Sequence, residues 1–200
     1  MSNNALIIFT RNPELGKCKT RLAKTIGDQA ALNVYKFLLQ HTANVAKKIE
    51  ASRYAYYSVK VRENDIWNEK FFNKKQQFGE DLGLRMQNAF QELFNLGHKK
   101  VIIIGSDLFD LDQKYINEAF TKLDTHDAVL GPALDGGYYL FGMKKVIPNV
   151  FTNKNWGTET VFKSTTKDLK NYNIYLTKSL NDIDTFEDLK PYKELEHFYK

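Results

Sequence analysis

The residues best suited to chemistry fall in four short stretches. The first follows an apolar run at 5–10 and reads Arg11-Asn12-Pro13-Glu14-Leu15-Gly16-Lys17-Cys18-Lys19-Thr20-Arg21. A strand that turns through glycine into a helix can aim backbone N–H groups at an anion, and Lys or Arg adds charge. The stretch reads either as a phosphate-binding loop or as a basic surface loop, and its place after the first strand favours phosphate. No glycine precedes Gly16, and Gly16-Lys17 runs into Cys18, so neither a Walker A loop nor G-x-G-x-x-G is present. Cys18 is the only cysteine. It forms no intrachain disulfide, and with no His nearby in sequence it reads as a small loop residue rather than a nucleophile.

The second stretch is VIIIGSDLFDLD. Asp107 follows the most apolar strand candidate, where a carboxylate can face a ligand crevice. As a hard oxygen donor it suits Mg²⁺ or Mn²⁺ bridging phosphates, and a turn or helix cap is the alternative. Asp112, just before a helical pattern, reads as an N-cap. In the third stretch, GPALDGGYYLFGM, Asp135-Gly136-Gly137 predicts a tight turn, and a simple hairpin explains it equally well. The fourth, SLNDIDTFEDL, places Asp182 and Asp184 two apart, on one side of an extended segment. Either acid is a candidate second metal ligand beside Asp107, while Asp184 or Thr185 is a candidate helix cap. The D-x-D-x-T string does not indicate a haloacid dehalogenase phosphatase, where it follows the first strand. Arg85, early in a helix, either faces the crevice or pairs with Glu80 or Asp81. Trp156 either stacks on a ligand or packs a core edge. The four His residues are scattered and form no zinc or triad pattern.

These residues need a scaffold. The 200-residue chain is 42% hydrophobic and 14% aromatic, enough for one core, and residues 1–200 are expected to form one domain. The net charge of +5 is compatible with an anionic ligand. The Lys doublets are scattered, without aromatic interleaving, and argue against nucleic acid. No apolar run approaches a membrane span, and no signal pattern opens the chain. A cytoplasmic protein is expected. Strands are predicted over 5–10, 54–61, 76–78, 101–104, 128–130, 138–143 and 174–177. Helices are predicted to start at Gly27-Asp28, with Asp28 as N-cap, and over 65–72, 82–96, 113–123, 158–169 and 185–189. The alternation predicts a three-layer α/β/α sandwich with a mostly parallel sheet, whose ligands bind outside the carboxyl ends of the strands.

Taken in order, P-x-x-G-x-x-K-T-R-L, E-D-L-G-x-R-M, G-S-D, D-G-G-Y-Y-L and D-I-D-T-x-E-D-L resemble the selenodomain-associated transferases, over 5–189. These are GT-A-like, Rossmann-like proteins similar to nucleotide-diphospho-sugar transferases and to phospholactate and molybdopterin guanylyltransferases. One departure stands out: Leu108-Phe109 replace the Cys-Pro that commonly follows the metal-site Asp. The resemblance implies a nucleoside triphosphate or nucleotide sugar bound with Mg²⁺ or Mn²⁺. Gly16, Lys19 and Arg21 would contact phosphates, with Thr10, Arg11, Arg85, Gly105 and Ser106 on the nucleotide side. Asp107 and Asp182 or Asp184 would hold the metal. Asp135, Gly136, Gly137 and Trp156 would face the acceptor.

Three functions are compatible with these residues. In nucleotidyl transfer, a phosphorylated acceptor attacks the α-phosphorus and pyrophosphate leaves, its charge stabilised by Lys19 and Arg21. In glycosyl transfer, Asp135 serves as base for an acceptor hydroxyl; the absence of an acid two residues before Asp107 disfavours this. The third is a non-catalytic nucleotide-binding protein.

Overall fold

A computed structural model describes residues 2–200. Its centre is β1 (Asn4–Thr10), flanked in parallel by β2 (Ser52–Tyr57) and β4 (Lys100–Ile104). Beyond β2 lies β3 (Asn73–Gln76), again parallel. Beyond β4, β6 (Tyr138–Met143) runs antiparallel, paired on its other side with β5 (Ala128–Pro132). β7 (Ile174–Leu176) lies parallel to β5 at the edge. The seven-stranded order is β3-β2-β1-β4-β6-β5-β7. Every strand except β6 points its carboxyl end the same way, so the loops after β1, β2, β4 and β5 meet along one edge.

The alternation of side chains explains both covered faces. Leu6 and Ile8 of β1 and Ile102 and Ile104 of β4 face one way, into α2 (Asp28–Ala46) and α4 (Gln113–Lys122). Ala5, Ile7, Val101 and Ile103 face the other way, into α3 (Leu82–Asn95) and Phe151. Full burial of each such Leu or Ile contributes about 1.5–3 kcal/mol. A third cluster joins the outer side of α2 to α1 (Thr20–Ile26) and to Ile183, Leu189 and Leu195 of the C-terminal segment. That cluster draws residues 180–189 back across the sheet edge. The remaining α-helices are α5 (Val161–Asp168) and α6 (Phe186–Leu189), with 3₁₀ helices at Pro148–Phe151 and Lys193–Phe198.

Several predicted boundaries shift, each for a physical reason. The first helix begins at Thr20, not at Gly27-Asp28. Gly27, at φ 83, turns the chain between α1 and α2, so the cap is Gly27 and Asp28 is the first helical residue. The seven-residue α1 buries only Leu22, too little to leave a periodic signal. The second strand ends at Tyr57: Ser58 N–H still donates to the Thr10 carbonyl, and beyond it the Asn12 side chain takes over, accepting from the N–H groups of Val59 and Lys60 at 3.0 and 3.3 Å. Residues 65–72 form turns rather than a helix, pinned by Asp65 accepting from Trp67 N–H and by the edge-on Trp67–Phe72 pair. The third strand lies at Asn73–Gln76 instead of 76–78. Asp112 caps α4 as expected, accepting from Lys114 N–H at 2.8 Å. Before α6 it is Thr185 that caps, in a capping box with Asp188. The Asp135-Gly136-Gly137 segment is the β5–β6 hairpin turn.

Candidate functional site

The strand-end loops build one continuous site with a cationic half and an acidic half. In the first loop, Lys17 N–H donates to Glu14 carbonyl and Gly16 sits at φ 70, a left-handed conformation that favours glycine. Lys19 also takes left-handed angles, at φ 51, immediately before α1. This turns its side chain inward: only 5% of it is exposed, and its Nζ lies 3.0 Å from Asp107 Oδ2 and 3.7 Å from Asp184 Oδ1. Burial opposes the ammonium charge, but the two carboxylates outweigh it and raise the Lys19 pKa. Arg21 reaches Asp184 Oδ2 at 3.1 Å and is 64% exposed. Asp184 is therefore the counter-ion of the cationic loop.

Asp182 has different surroundings. Ile183, between the two acids, is fully buried, and its N–H donates to Asp107 carbonyl at 3.2 Å. Leu180 bridges Ala133 and exchanges backbone hydrogen bonds with Pro132 and Leu134. The segment is thus stitched between the ends of β4 and β5, which puts Asp182 between Asp107 and Asp135. Burial first, then the charges of Asp107 and Asp135, push its carboxyl up to about 6 from an ordinary 3.8.

These three carboxylates open onto a cleft of about 240 Å³. Gly105, Gly137 and Thr158 line it with backbone and hydroxyl, while Phe9, Leu82, Met86, Tyr138, Trp156 and Val161 supply an apolar wall. The wall is fixed. Trp156 lies against Gly83, where an added Cβ would stand 2.7 Å from the indole and 2.1 Å from Phe151 carbonyl. Gly136, at φ 88, lets the loop come down on the hairpin turn: a Cβ there would be 2.3 Å from Glu159 carbonyl, and Phe162 N–H donates to Gly136 carbonyl. Asp135 Oδ1 accepts from Gly137 N–H at 2.7 Å, which orients the carboxylate.

The other sequence candidates are more peripheral. Arg85 meets neither alternative foreseen for it: its Nε donates to Gly79 carbonyl at 2.9 Å, it forms no ion pair with Glu80 or Asp81, and it does not line the cleft. Arg11 donates from Nη1 to Lys17 carbonyl and so closes the loop on itself. Thr10 is buried, its carbonyl accepting from Ser58 N–H. Ser106 is buried behind Asp107. Cys18 is buried with its thiol against Glu14 carbonyl, and burial raises its pKa. Leu108 and Phe109, at the departure from the family pattern, serve packing: Leu108 enters the core and Phe109 stacks edge-on against Tyr192. Two positioning residues gave no signal in the sequence. Tyr35 hydroxyl accepts from Arg11 N–H and donates to Arg11 carbonyl, and Asn12 ties the loop to the end of β2. Both are polar groups inside otherwise ordinary patterns, visible only through their partners.

Among the described residues no three His, Cys, Asp or Glu side chains gather closely enough to enclose an ion. The donor set fits an ion held more loosely. Mg²⁺ commonly takes one or two carboxylates and completes its shell with water and phosphate, and Asp107 and Asp182, whose charges repel, offer such a pair.

Fold and strand-edge site together define a nucleotide-diphospho-sugar transferase fold, also seen in cytidylyltransferases. The chain belongs to the bacterial family described as "Uncharacterized protein conserved in bacteria (DUF2064)", whose model matches residues 38–158. A crystal structure from Desulfovibrio desulfuricans G20, provisionally described as a nucleotide-diphospho-sugar transferase, is 30% identical, with TM-score 0.89, covering 97% of this chain and 88% of its own. Similarity of fold alone extends to CMP:2-keto-3-deoxy-manno-octonic acid synthetase complexed with CTP (TM-score 0.59, 10% identity, 98% and 99% covered). It extends also to 4-diphosphocytidyl-2C-methyl-D-erythritol synthase (TM-score 0.61, 9% identity, 96% and 97% covered). No curated protein matches the chain. Among the described residues, no helix is long and apolar enough to cross a membrane.

Proposed function

We propose that this chain is a divalent-metal-dependent transferase of the selenodomain-associated type, which binds a nucleoside triphosphate or nucleotide sugar and transfers its nucleotidyl group to a small acceptor. The observation that carries the reading is the Lys19 ammonium held between Asp107 and Asp184, which joins the cationic loop to the strand-end carboxylate. The 30% identical relative, provisionally described as a nucleotide-diphospho-sugar transferase, and the CTP-bound fold relative support a nucleotide donor.

Each residue has a role in this reading. Lys19 is a buried point charge that fixes Asp107 and faces the donor's phosphates. Arg21 is exposed, and its planar fork suits a phosphate oxygen pair. In the free protein Asp184 holds Arg21 at the site mouth, ready to exchange a carboxylate for phosphate. Gly16 lets the loop backbone approach the donor. Asp107 and Asp182 would hold Mg²⁺ or Mn²⁺, which supplies charge neutralisation at the phosphates. The fixed Trp156 wall orients the acceptor and keeps water from the reacting phosphorus. Asp135, with one oxygen already bound by Gly137 N–H, is placed to take a proton from an acceptor hydroxyl. That placement also favours a second reading, glycosyl transfer from a nucleotide sugar.

Thermal unfolding with a panel of nucleoside triphosphates and nucleotide sugars, with and without Mg²⁺ or Mn²⁺, tests the proposal. A ligand at 100 times its dissociation constant adds about 2.7 kcal/mol of stability. A metal-dependent shift with one triphosphate supports nucleotidyl transfer, and a shift only with a nucleotide sugar supports glycosyl transfer. Binding without turnover of any donor would leave a nucleotide-binding protein. No shift with any ligand would sink all three readings.

A further inference from the structure

The apolar cleft beside Asp107 says what kind of acceptor fits, and this inference rests on the transferase reading above. Three carboxylates, Asp107, Asp135 and Asp182, line it, and no Lys, Arg or His does. Lys19, which reaches Asp107 from outside the lining, is already committed to Asp107 and Asp184. The opposite wall is aromatic and aliphatic: Phe9, Leu82, Met86, Tyr138, Trp156 and Val161. Among the described residues Tyr138 hydroxyl has only the Met86 thioether as partner, at 3.9 Å, which leaves one polar atom available inside the apolar part. At about 240 Å³ the cleft lies just below the usual range for ligand pockets, so it takes a small molecule.

A phosphate ester in this place would bring negative charge towards Asp135 and the Asp107/Asp182 pair, with no Lys, Arg or His in the lining to receive it, while the ion that the pair would hold is taken up by the donor's phosphates. An unpaired charge moved out of water into such surroundings is strongly disfavoured. We propose that the cleft binds a non-anionic acceptor with a ring-sized apolar body and a hydroxyl group at the carboxylate end, in contrast to the phosphorylated acceptor expected from the sequence. The body lies against Trp156 and Leu82, and the hydroxyl faces Asp135. In the transfer step the hydroxyl oxygen bonds to the donor's α-phosphorus as the bond to pyrophosphate breaks. Pyrophosphate leaves with the bonding electrons, and the hydroxyl proton passes to Asp135. The fixed turn and loop, pinned at Gly136 and Gly83, make this a preformed cleft, so the acceptor's selectivity is readable without the donor.

The test is calorimetric titration of the full chain with a matched pair of probes, 2-phenylethanol and 2-phenylethyl phosphate, and separately with nucleoside triphosphates. The alcohol is expected to bind at least tenfold more tightly than its phosphate ester. Trp156→Ala should weaken the alcohol at least fivefold while leaving triphosphate affinity within twofold. Leu82 is 41% exposed at the cleft rim, so a cation is tolerated there. Leu82→Lys should strengthen the phosphate ester at least fivefold and weaken the alcohol, whose body Leu82 touches, so that the preference narrows or reverses. Equal or tighter binding of the ester to the wild type, or an alcohol affinity unmoved by Trp156→Ala, would overturn the inference. Loss of triphosphate binding with retained preference for the alcohol would instead overturn the donor assignment alone.

Discussion

Asp182 offers a quantitative test of the site's electrostatics. Its carboxyl is moved from 3.8 to about 6 by burial and by the charges of Asp107 and Asp135. The sign follows from linkage: the folded state holds the proton more tightly than the unfolded state, so stability falls as pH rises between the two values. Below about pH 4 both states are protonated and there is no cost. Above about pH 6 the full cost of ionising the group in the fold is present. At 1.36 kcal/mol per pH unit the displacement corresponds to about 3 kcal/mol, and solvent reaching the half-buried carboxyl reduces this to about 1–2 kcal/mol. Asp182→Asn keeps the shape and removes the charge. Urea unfolding at steps from pH 4 to pH 8 should show the variant more stable than wild type by about 1–2 kcal/mol at pH 7.5. The gain should shrink towards zero near pH 4. Equal stability at pH 7.5, or a gain that does not change with pH, would refute the placement of Asp182 among like charges.

Four further outcomes are expected. Lys19→Met leaves Asp107 and Asp184 without their shared cation and should cost about 1–3 kcal/mol, less than a fully buried pair because both carboxylates are partly exposed. Arg21→Ala, on an exposed side chain, should stay within about 0.5 kcal/mol of wild-type stability yet weaken a triphosphate more than its nucleoside, as read by calorimetry; equal weakening would make the first loop structural. Gly83→Ala drives a methyl into Phe151 carbonyl and the Trp156 indole, and should cost about 2 kcal/mol or more by overpacking, measured by thermal unfolding. Cys18, buried with a raised pKa, should react slowly with iodoacetamide in the folded protein, and Cys18→Ser should leave nucleotide binding unchanged; fast alkylation at neutral pH would contradict its burial.

The alternation of strands and helices, and with it the α/β/α class, was legible in the sequence because parallel strands covered on both faces need unbroken apolar runs such as Val101 to Ile104. Motif order likewise marked the loops that reach the ligand edge, since Asp107, Asp135 and the Asp182/Asp184 pair each follow a strand. Sequence left open which acid did what. Two residues apart on one segment, Asp182 and Asp184 are equivalent by spacing, and only the stitching of Leu180 to Pro132 and of Ile183 to Asp107 sends them to different neighbours. The short α1, burying only Leu22, left no periodic apolar face to read, and the inward turn of Lys19 towards Asp107 and Asp184, distant in the chain, is visible only in the tertiary structure. The apolar wall of the cleft comes from β1, α3, β6 and the loop before α5. No local pattern joins residues so far apart, and only the close approach permitted at Gly83 and Gly136 brings them to one place.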